Sequence, residues 1–278
     1  MDRSESRTVL SKRKPARRMS EIPPAVLAAL NAGEIETANL VECLALDQRL
    51  LLPVALADAG LSRLRDQIES EIALLPKPTA MSLMRTIGLS LARHVPLKTS
   101  PRSAFTRLAR HRSDVVRCWA AYMPPANGDL DLAGKVEAMR PFAVDPHFGV
   151  REIAWIAIRP SIAEQPDAAV DLLTPWATEP QEGLRRCASE ATRPRGVWCY
   201  HLQVFKTSPE RALPILEPLK SDPSKYVRDS VANWLNDASK SAPDFVSKLC
   251  RRWSKLSRTP ETAYIVNRAT RSLRKQLA

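Results

Sequence analysis

The stretch Asp222-Pro-Ser-Lys-Tyr-Val-Arg-Asp-Ser-Val-Ala-Asn-Trp-Leu-Asn-Asp-Ala-Ser-Lys240 decides how the chain folds. Within it Val227, Val231, Trp234 and Leu235 recur at three- and four-residue intervals, the period of one helix face. Its opening, an acid before proline and then an apolar residue before arginine, is repeated upstream. Val116-Arg117, Val150-Arg151, Leu184-Arg185 and Val227-Arg228 stand 34, 34 and 43 residues apart. Asp145-Pro146, Glu179-Pro180 and Asp222-Pro223 precede the last three. An acid before proline suits a helix N-terminus, because the carboxylate accepts from free N–H groups and proline tolerates the first turn. Second helices rich in Ala, Leu and Ile fall between these starts, over 167–176, 210–219 and 243–253.

Helix–turn–helix units recurring at this period are the signature of an α-solenoid of HEAT-like repeats, each burying its face against its neighbours. The N-terminal half reads as helices over 24–31, 37–58, 62–75 and 80–93. Strand-like alternation is absent. The expectation is an all-α fold: a disordered basic arm over 1–22, then a single HEAT-like-repeat α-solenoid domain over 23–278 with a concave DNA-binding face.

Composition narrows the classes. Of 278 residues 44% are apolar and 26% charged, which is the make-up of a folding chain. Eight glycines against 23 prolines argue against a tight-turned β-sandwich and against Gly-rich nucleotide loops. The longest apolar run, Leu50 to Ala57, contains Pro53 and falls far short of the roughly 20 residues of a membrane span. A cytoplasmic, nucleoid-associated protein with no membrane partner is expected. Cys43, Cys118, Cys187, Cys199 and Cys250 form no CxxC pair, the pattern of buried reduced thiols. His94, His111, His147 and His201 lack metal-ligand spacing, so no metal and no cofactor is expected. None of GxGxxG, GxxxxGK[ST], GxSxG or HExxH occurs.

The 42 Lys and Arg exceed the 30 Asp and Glu, giving a net charge of +12 and an isoelectric point near 9.8. Seven cations lie in the first 22 residues (Arg3, Arg7, Lys12, Arg13, Lys14, Arg17, Arg18), and the remainder still carries +8. Such a body attracts anions, nucleic acid first. The recurring arginines, Arg151 and Arg228 among them, could hold phosphates by forked hydrogen bonds. The alternative is that they sit at helix starts paired with neighbouring acids, as is common in HEAT repeats.

Three segments place polar groups where a plain repeat needs none: 150–160 (VREIAWIAIRP), 184–198, which contains SEATRPRGVW, and 226–240. Arg186 and Glu190 share a helix face. Arg193, Arg195 and Trp198 follow where Pro194 and Gly196 must break the helix. Two arginines and an aromatic on a short loop can grip a phosphodiester and lay a ring against a sugar or base. Each acid also has an ordinary explanation. Glu190 can pair with Arg186, Asp237 can bond Lys240, and Glu152 is unremarkable near a helix start. Trp119, Trp155, Trp176, Trp234 and Trp253 have the spacing of core residues.

SEATRPRGVW followed by DPSKYVRDSVANWLNDASK, with VREIAWIAIRP upstream, resembles the AlkC branch of the DNA alkylation repair glycosylases, HEAT-like-repeat proteins related to AlkD. The resemblance covers nearly the whole chain and is strongest from Phe142 to Leu277. Tyr264-Ile-Val-Asn-Arg-Ala269 departs from the Trp- and His-bearing version in relatives, and the chain ends without room for the immunoglobulin-like domain of some members. The resemblance implies hydrolysis of the N-glycosidic bond of cationic N-alkylated bases, notably 3-methyladenine, in duplex DNA without base flipping. It implies Glu152, Glu190 and Asp237 as active-site carboxylates, with Arg186 and Trp198 flanking the lesion. Arg193, Arg195, Arg151, Arg228 and Lys240 complete the expected DNA contacts, and the protein is expected to act as a monomer. A catalytically silent module binding damaged DNA and a protein–protein scaffold are the rival functions.

Such a base already carries positive charge and leaves without protonation. What remains is to stabilise an oxocarbenium-like sugar and activate a water, which carboxylates do in glycoside chemistry.

Overall fold

The computed structural model describes residues 13–277, with side chains as far as residue 274. Among the described residues there are helices and turns but no strand. The chain forms two compact units. One comprises residues up to 128 with 147–153, the other 129–146 with 154 onward.

The first unit holds α1 (Pro24–Asn31), α2 (Leu40–Ala45), α3 (Gln48–Ala59), α4 (Arg65–Ala73), α5 (Ala80–His94), α6 (Ala104–Ala109), α7 (Asp114–Ala121) and α8 (Met123–Ala126). The expected helix over 37–58 is two helices, because the Asp47 carboxylate accepts from the Arg49 N–H at 2.9 Å and begins a new one. Leu30, Leu51, Leu56, Ile68, Met84, Ile87 and Trp119 form its core. Trp119 Nε1 donates to Gln48 Oε1 at 2.8 Å, which satisfies the one polar atom of that ring. Asp114, also buried, accepts from the Thr37 N–H at 2.9 Å and its hydroxyl at 2.7 Å.

Of the arm expected over 1–22, residues 1–12 lie outside the described residues. Beyond them, Arg13 and Ala16 are tied to the first unit, while residues 17–21 are exposed. Arg13 Nε donates to Glu42 Oε1 at 3.0 Å, and Asn39 Nδ2 donates to the Ala16 carbonyl at 2.7 Å. Glu42 is buried and requires a cation, which the arm supplies.

The second unit begins with α9 (Leu132–Ala143). It continues through α10 (Phe148–Glu164), whose first residues belong to the first unit, then α11 (Pro166–Leu173) and α12 (Glu182–Ala191). After α13 (Gln203–Thr207) and α14 (Leu213–Leu216) come α15 (Lys225–Ala238), α16 (Pro243–Leu256), α17 (Pro260–Ala269) and α18 (Arg271–Leu277). The helix expected over 210–219 is broken into 3-10 turns around α14, because Pro214 and Pro218 each remove a backbone donor. Pro53, Pro141 and Pro160, by contrast, lie inside α3, α9 and α10. Val227, Val231, Trp234 and Leu235 are all fully buried, as the periodicity requires.

Three of the four repeated arginines close turns. Arg117 Nη1 donates to the carbonyls of residues 111 and 112 at 2.9 and 3.2 Å. Arg185 Nη1 donates to those of residues 179 and 180, both at 2.8 Å. Arg228 Nη1 donates to those of residues 222 and 223 at 2.9 and 2.7 Å. Each guanidinium thus reaches back six and five residues and closes the turn before its helix. The expected alternative, pairing with neighbouring acids, holds in part: Arg185 also pairs with Asp222 and Arg117 with Glu36, whereas Arg228 bonds the carbonyls of its turn.

The acid-proline pairs act only in part as the expected caps: Asp222 Oδ1 accepts from the Ser224 N–H at 2.8 Å. α12 and α15 start after Gln181 and Ser224, neither of which caps through its side chain. The residue before a proline is driven to extended backbone, so Glu179 and Asp222 end the preceding turn instead. Their carboxylates then join neighbouring helices. Asp222 takes both Nε and Nη2 of Arg185 at 2.7 and 3.0 Å, and Glu179 accepts from Arg140 at 2.9 Å.

Close packing fixes Gly183 on α12. A Cβ there would collide with the Ala143 carbonyl oxygen at the end of α9. Gly183→Ala is expected to cost about 1–3 kcal/mol of stability, read as a lowered thermal midpoint. An unchanged midpoint would contradict the close approach.

Candidate active site

α12 and α15 pack side by side through small polar residues. The buried Ser230 hydroxyl donates to Ser189 Oγ at 2.9 Å, and Trp234 Nε1 donates to Thr192 Oγ1 at 3.3 Å. This pairing brings together the last turns of both helices, where Glu190 and Asp237 sit. Both carboxylates are buried, at 2% and 5% exposure. A carboxylate in a last turn is opposed by the helix dipole, so each needs a cation.

Arg193, three residues past Glu190, serves both. Its Nη1 donates to Glu190 Oε2 at 3.1 Å, while Nε and Nη2 both lie 2.7 Å from Asp237 Oδ2. Burial works against the Arg193 charge, but Glu190 and Asp237 outweigh it and hold the guanidinium above its ordinary pKa. Lys240 Nζ donates to the other Asp237 oxygen at 2.7 Å. Arg186 Nη2 stands 3.8 Å from Glu190 Oε1 and lies over the Tyr226 ring, 4.2 Å from its centre. Both ordinary pairings open from the sequence, Glu190 with Arg186 and Asp237 with Lys240, are therefore present. What the sequence does not disclose is the single guanidinium that spans the two acids.

Beneath the pair lies Arg159, fully buried on α10. Its Nη1 donates to the carbonyls of Glu190 and Ala191 at 2.9 and 3.2 Å, and its Nη2 to that of Arg193 at 2.6 Å. Its Nε donates to the Tyr200 carbonyl at 2.7 Å. One side chain therefore caps the C-terminus of α12 and anchors both ends of the loop that follows. Burial pulls its pKa down. The signal in the sequence is an arginine amid the apolar run of 153–162, a position whose charge only an internal function explains.

The loop so anchored carries Arg195 and Trp198. Arg195 is half-buried, with its Nε unpartnered. Trp198 is 56% exposed, between exposed Val197 and Tyr200, and has φ 61°. A bulky residue in the left-handed region is strained. Three further site residues are expected from the sequence. Glu152 and Arg151 are half-buried on the portion of α10 that belongs to the first unit. Arg228 has its Nη1 committed to the turn before α15. The other five tryptophans are buried, as expected. No helix among the described residues is long and apolar enough to cross a membrane.

No protein-family model matches the chain. Its structure is similar to that of the Pseudomonas fluorescens alkylpurine DNA glycosylase AlkC bound to DNA containing an abasic site analog. The TM-score is 0.66 at 25% identity, over 94% of this chain and 66% of that one. AlkD2 from Streptococcus mutans shares the fold with a TM-score of 0.57 at 21% identity, over 74% of this chain and 95% of the other. In sequence, 120 residues (43% of the chain) are 39% identical to the uncharacterized protein YhaZ of Bacillus subtilis, over 33% of its length. The chain thus spans a third of that relative and just under two thirds of AlkC.

Proposed function

We propose that this chain, built like the AlkC and AlkD2 glycosylases, hydrolyses the N-glycosidic bond of cationic N-alkylated bases such as 3-methyladenine in duplex DNA. The observation that carries the proposal is the buried pair Glu190 and Asp237, held on adjacent helices by one guanidinium. Two negative charges in a poorly solvated place favour a cation and gain nothing from a neutral base. As the bond to an alkylated base breaks, positive charge passes to the deoxyribose. One carboxylate stabilises that charge and the other orients and deprotonates the attacking water. Glu152 keeps the carboxylate function that the family resemblance implies, and Glu152→Gln in the same assay decides it.

Trp198 lays its exposed ring against the sugar or lesion, a contact of about 0.5–2 kcal/mol. Arg186, Arg193, Arg195 and Lys240 supply positive charge for the phosphates around the lesion, and Arg151 and Arg228 are kept as DNA contacts on the family resemblance. Base flipping is avoided, which saves a few kcal/mol of unstacking. The duplex is the partner, and a monomer acting in the cytoplasm on the nucleoid suffices.

The test is release of free 3-methyladenine from methylated duplex DNA by the purified protein, at a salt concentration where it binds DNA. Binding without release would instead identify a silent damage-recognition module. Trp198 offers a second check. Trp198→Gly removes the backbone strain and is expected to stabilise the fold by about 1 kcal/mol while slowing base release. A variant that is less stable, or equally active, would contradict the assignment of that strain to function.

A further inference from the structure

Arg193 is placed where the proposed substrate belongs. Its planar guanidinium is delocalised and cationic, as is the ring of an N-alkylated purine, and it is clamped between the two acids that would receive such a ring. We propose that the Arg193 guanidinium holds the lesion's place in the DNA-free protein, and that a cationic base enters by displacing it. This rests on the glycosylase assignment above and adds the means by which the same site rejects normal bases.

Four features support the displacement. The ion pairs of Arg193 run through its terminal guanidinium, to Glu190 at 3.1 Å and to Asp237 at 2.7 Å. Its backbone is fixed independently, since Arg159 Nη2 holds its carbonyl at 2.6 Å, so exchange requires only side-chain rotation. It lies just beyond the end of α12, outside the helix proper. Finally, each acid keeps a cation when Arg193 leaves, since Lys240 stays on Asp237 at 2.7 Å and Arg186 stands 3.8 Å from Glu190. A neutral base pushed into the site would nevertheless cost both buried acids the guanidinium they share and return no charge. A cation replaces that contact, and the freed guanidinium can turn to a DNA phosphate. Discrimination therefore needs no shaped pocket.

The experiment compares two duplexes that differ only at one abasic-site analogue, a neutral tetrahydrofuran or a cationic pyrrolidine. Affinities are measured for wild type, Arg193→Gln and Arg193→Lys. A placeholder reduces the apparent affinity for the cation by the fraction of time the site is free, so Arg193→Gln is expected to raise the cationic-to-neutral affinity ratio about tenfold or more. Arg193→Lys, a point charge that cannot span both acids, is expected to raise it less. A loss of affinity for both duplexes with the ratio unchanged would identify a plain phosphate clamp and overturn the proposal. Should Arg193→Gln not fold, the Arg193 Nε–H resonance of the wild type decides. It is expected to shift on saturation with the cationic duplex and not with the neutral one, and equal behaviour with both overturns the displacement. Base release by the wild type, scored separately, tests the glycosylase assignment itself. Active enzyme with an unchanged ratio ends the placeholder alone, and inactive enzyme ends both.

Discussion

Glu190→Gln and Asp237→Asn are each expected to slow base release from alkylated duplex DNA by about 10²–10³-fold, the scale on which one electrostatic group at a reacting centre acts. The substitutions preserve shape, and the amide oxygen that each introduces would still accept a hydrogen bond from Arg193. What disappears is one negative charge in a place with little water, where the positive sugar would otherwise be stabilised. The double variant should lose little more than the worse single one, because the two carboxylates act on one transition state. Affinity for undamaged DNA should hold, since the phosphate-binding cations are untouched. Single-turnover rates with matched binding isotherms check this. Unaltered rates in both variants would remove the carboxylates from the mechanism.

The largest effect on stability is expected at Arg159. Arg159→Met preserves most of the volume but strips four carbonyl contacts, those of Glu190, Ala191, Arg193 and Tyr200. A buried charged network broken on one side costs about 3–5 kcal/mol, on the order of 10 °C in the thermal midpoint for a chain of this size. Arg159→Lys should recover only part, because an ammonium cannot reproduce a planar fork reaching several carbonyls. At temperatures where Arg159→Met remains folded, it should still release base slowly, since the Arg193–Trp198 loop has lost its mooring. Calorimetry and base release on one preparation test both statements. A midpoint within a degree or two of wild type would contradict the part assigned to Arg159.

Much of this molecule is legible in its sequence, for identifiable reasons. Helix α1 runs over 24–31 as read, and the face of Val227, Val231, Trp234 and Leu235 is buried, because apolar spacing reports directly on which side is covered. The recurrence of arginine after an apolar residue correctly marks the repeat, but phosphate contact is one of two explanations for it. Arg117, Arg185 and Arg228 instead close turns six and five residues back, a geometry that spacing alone does not reveal. Asp222 reads as a helix cap and accepts from the Ser224 N–H, but it also receives Arg185 from another helix, and pairing between helices is invisible to a local pattern. The acids of the site show a similar division. Glu190 and Asp237 stand out as misplaced charges within a basic chain. That one guanidinium joins them depends on how α12 packs against α15.

Chemistry at the Glu190–Asp237 pair is the central claim, and one measurement bears on it most directly. A duplex carrying a single 7-methylguanine, a cationic lesion stable enough to place at a defined position, is mixed with excess protein. Free base and alkali-labile strand are then followed together. Both are expected to appear in equal amounts, far faster than spontaneous depurination, and Glu190→Gln is expected to abolish most of the difference. Release by the wild type no faster than in buffer alone, on DNA that it demonstrably binds, would contradict that claim.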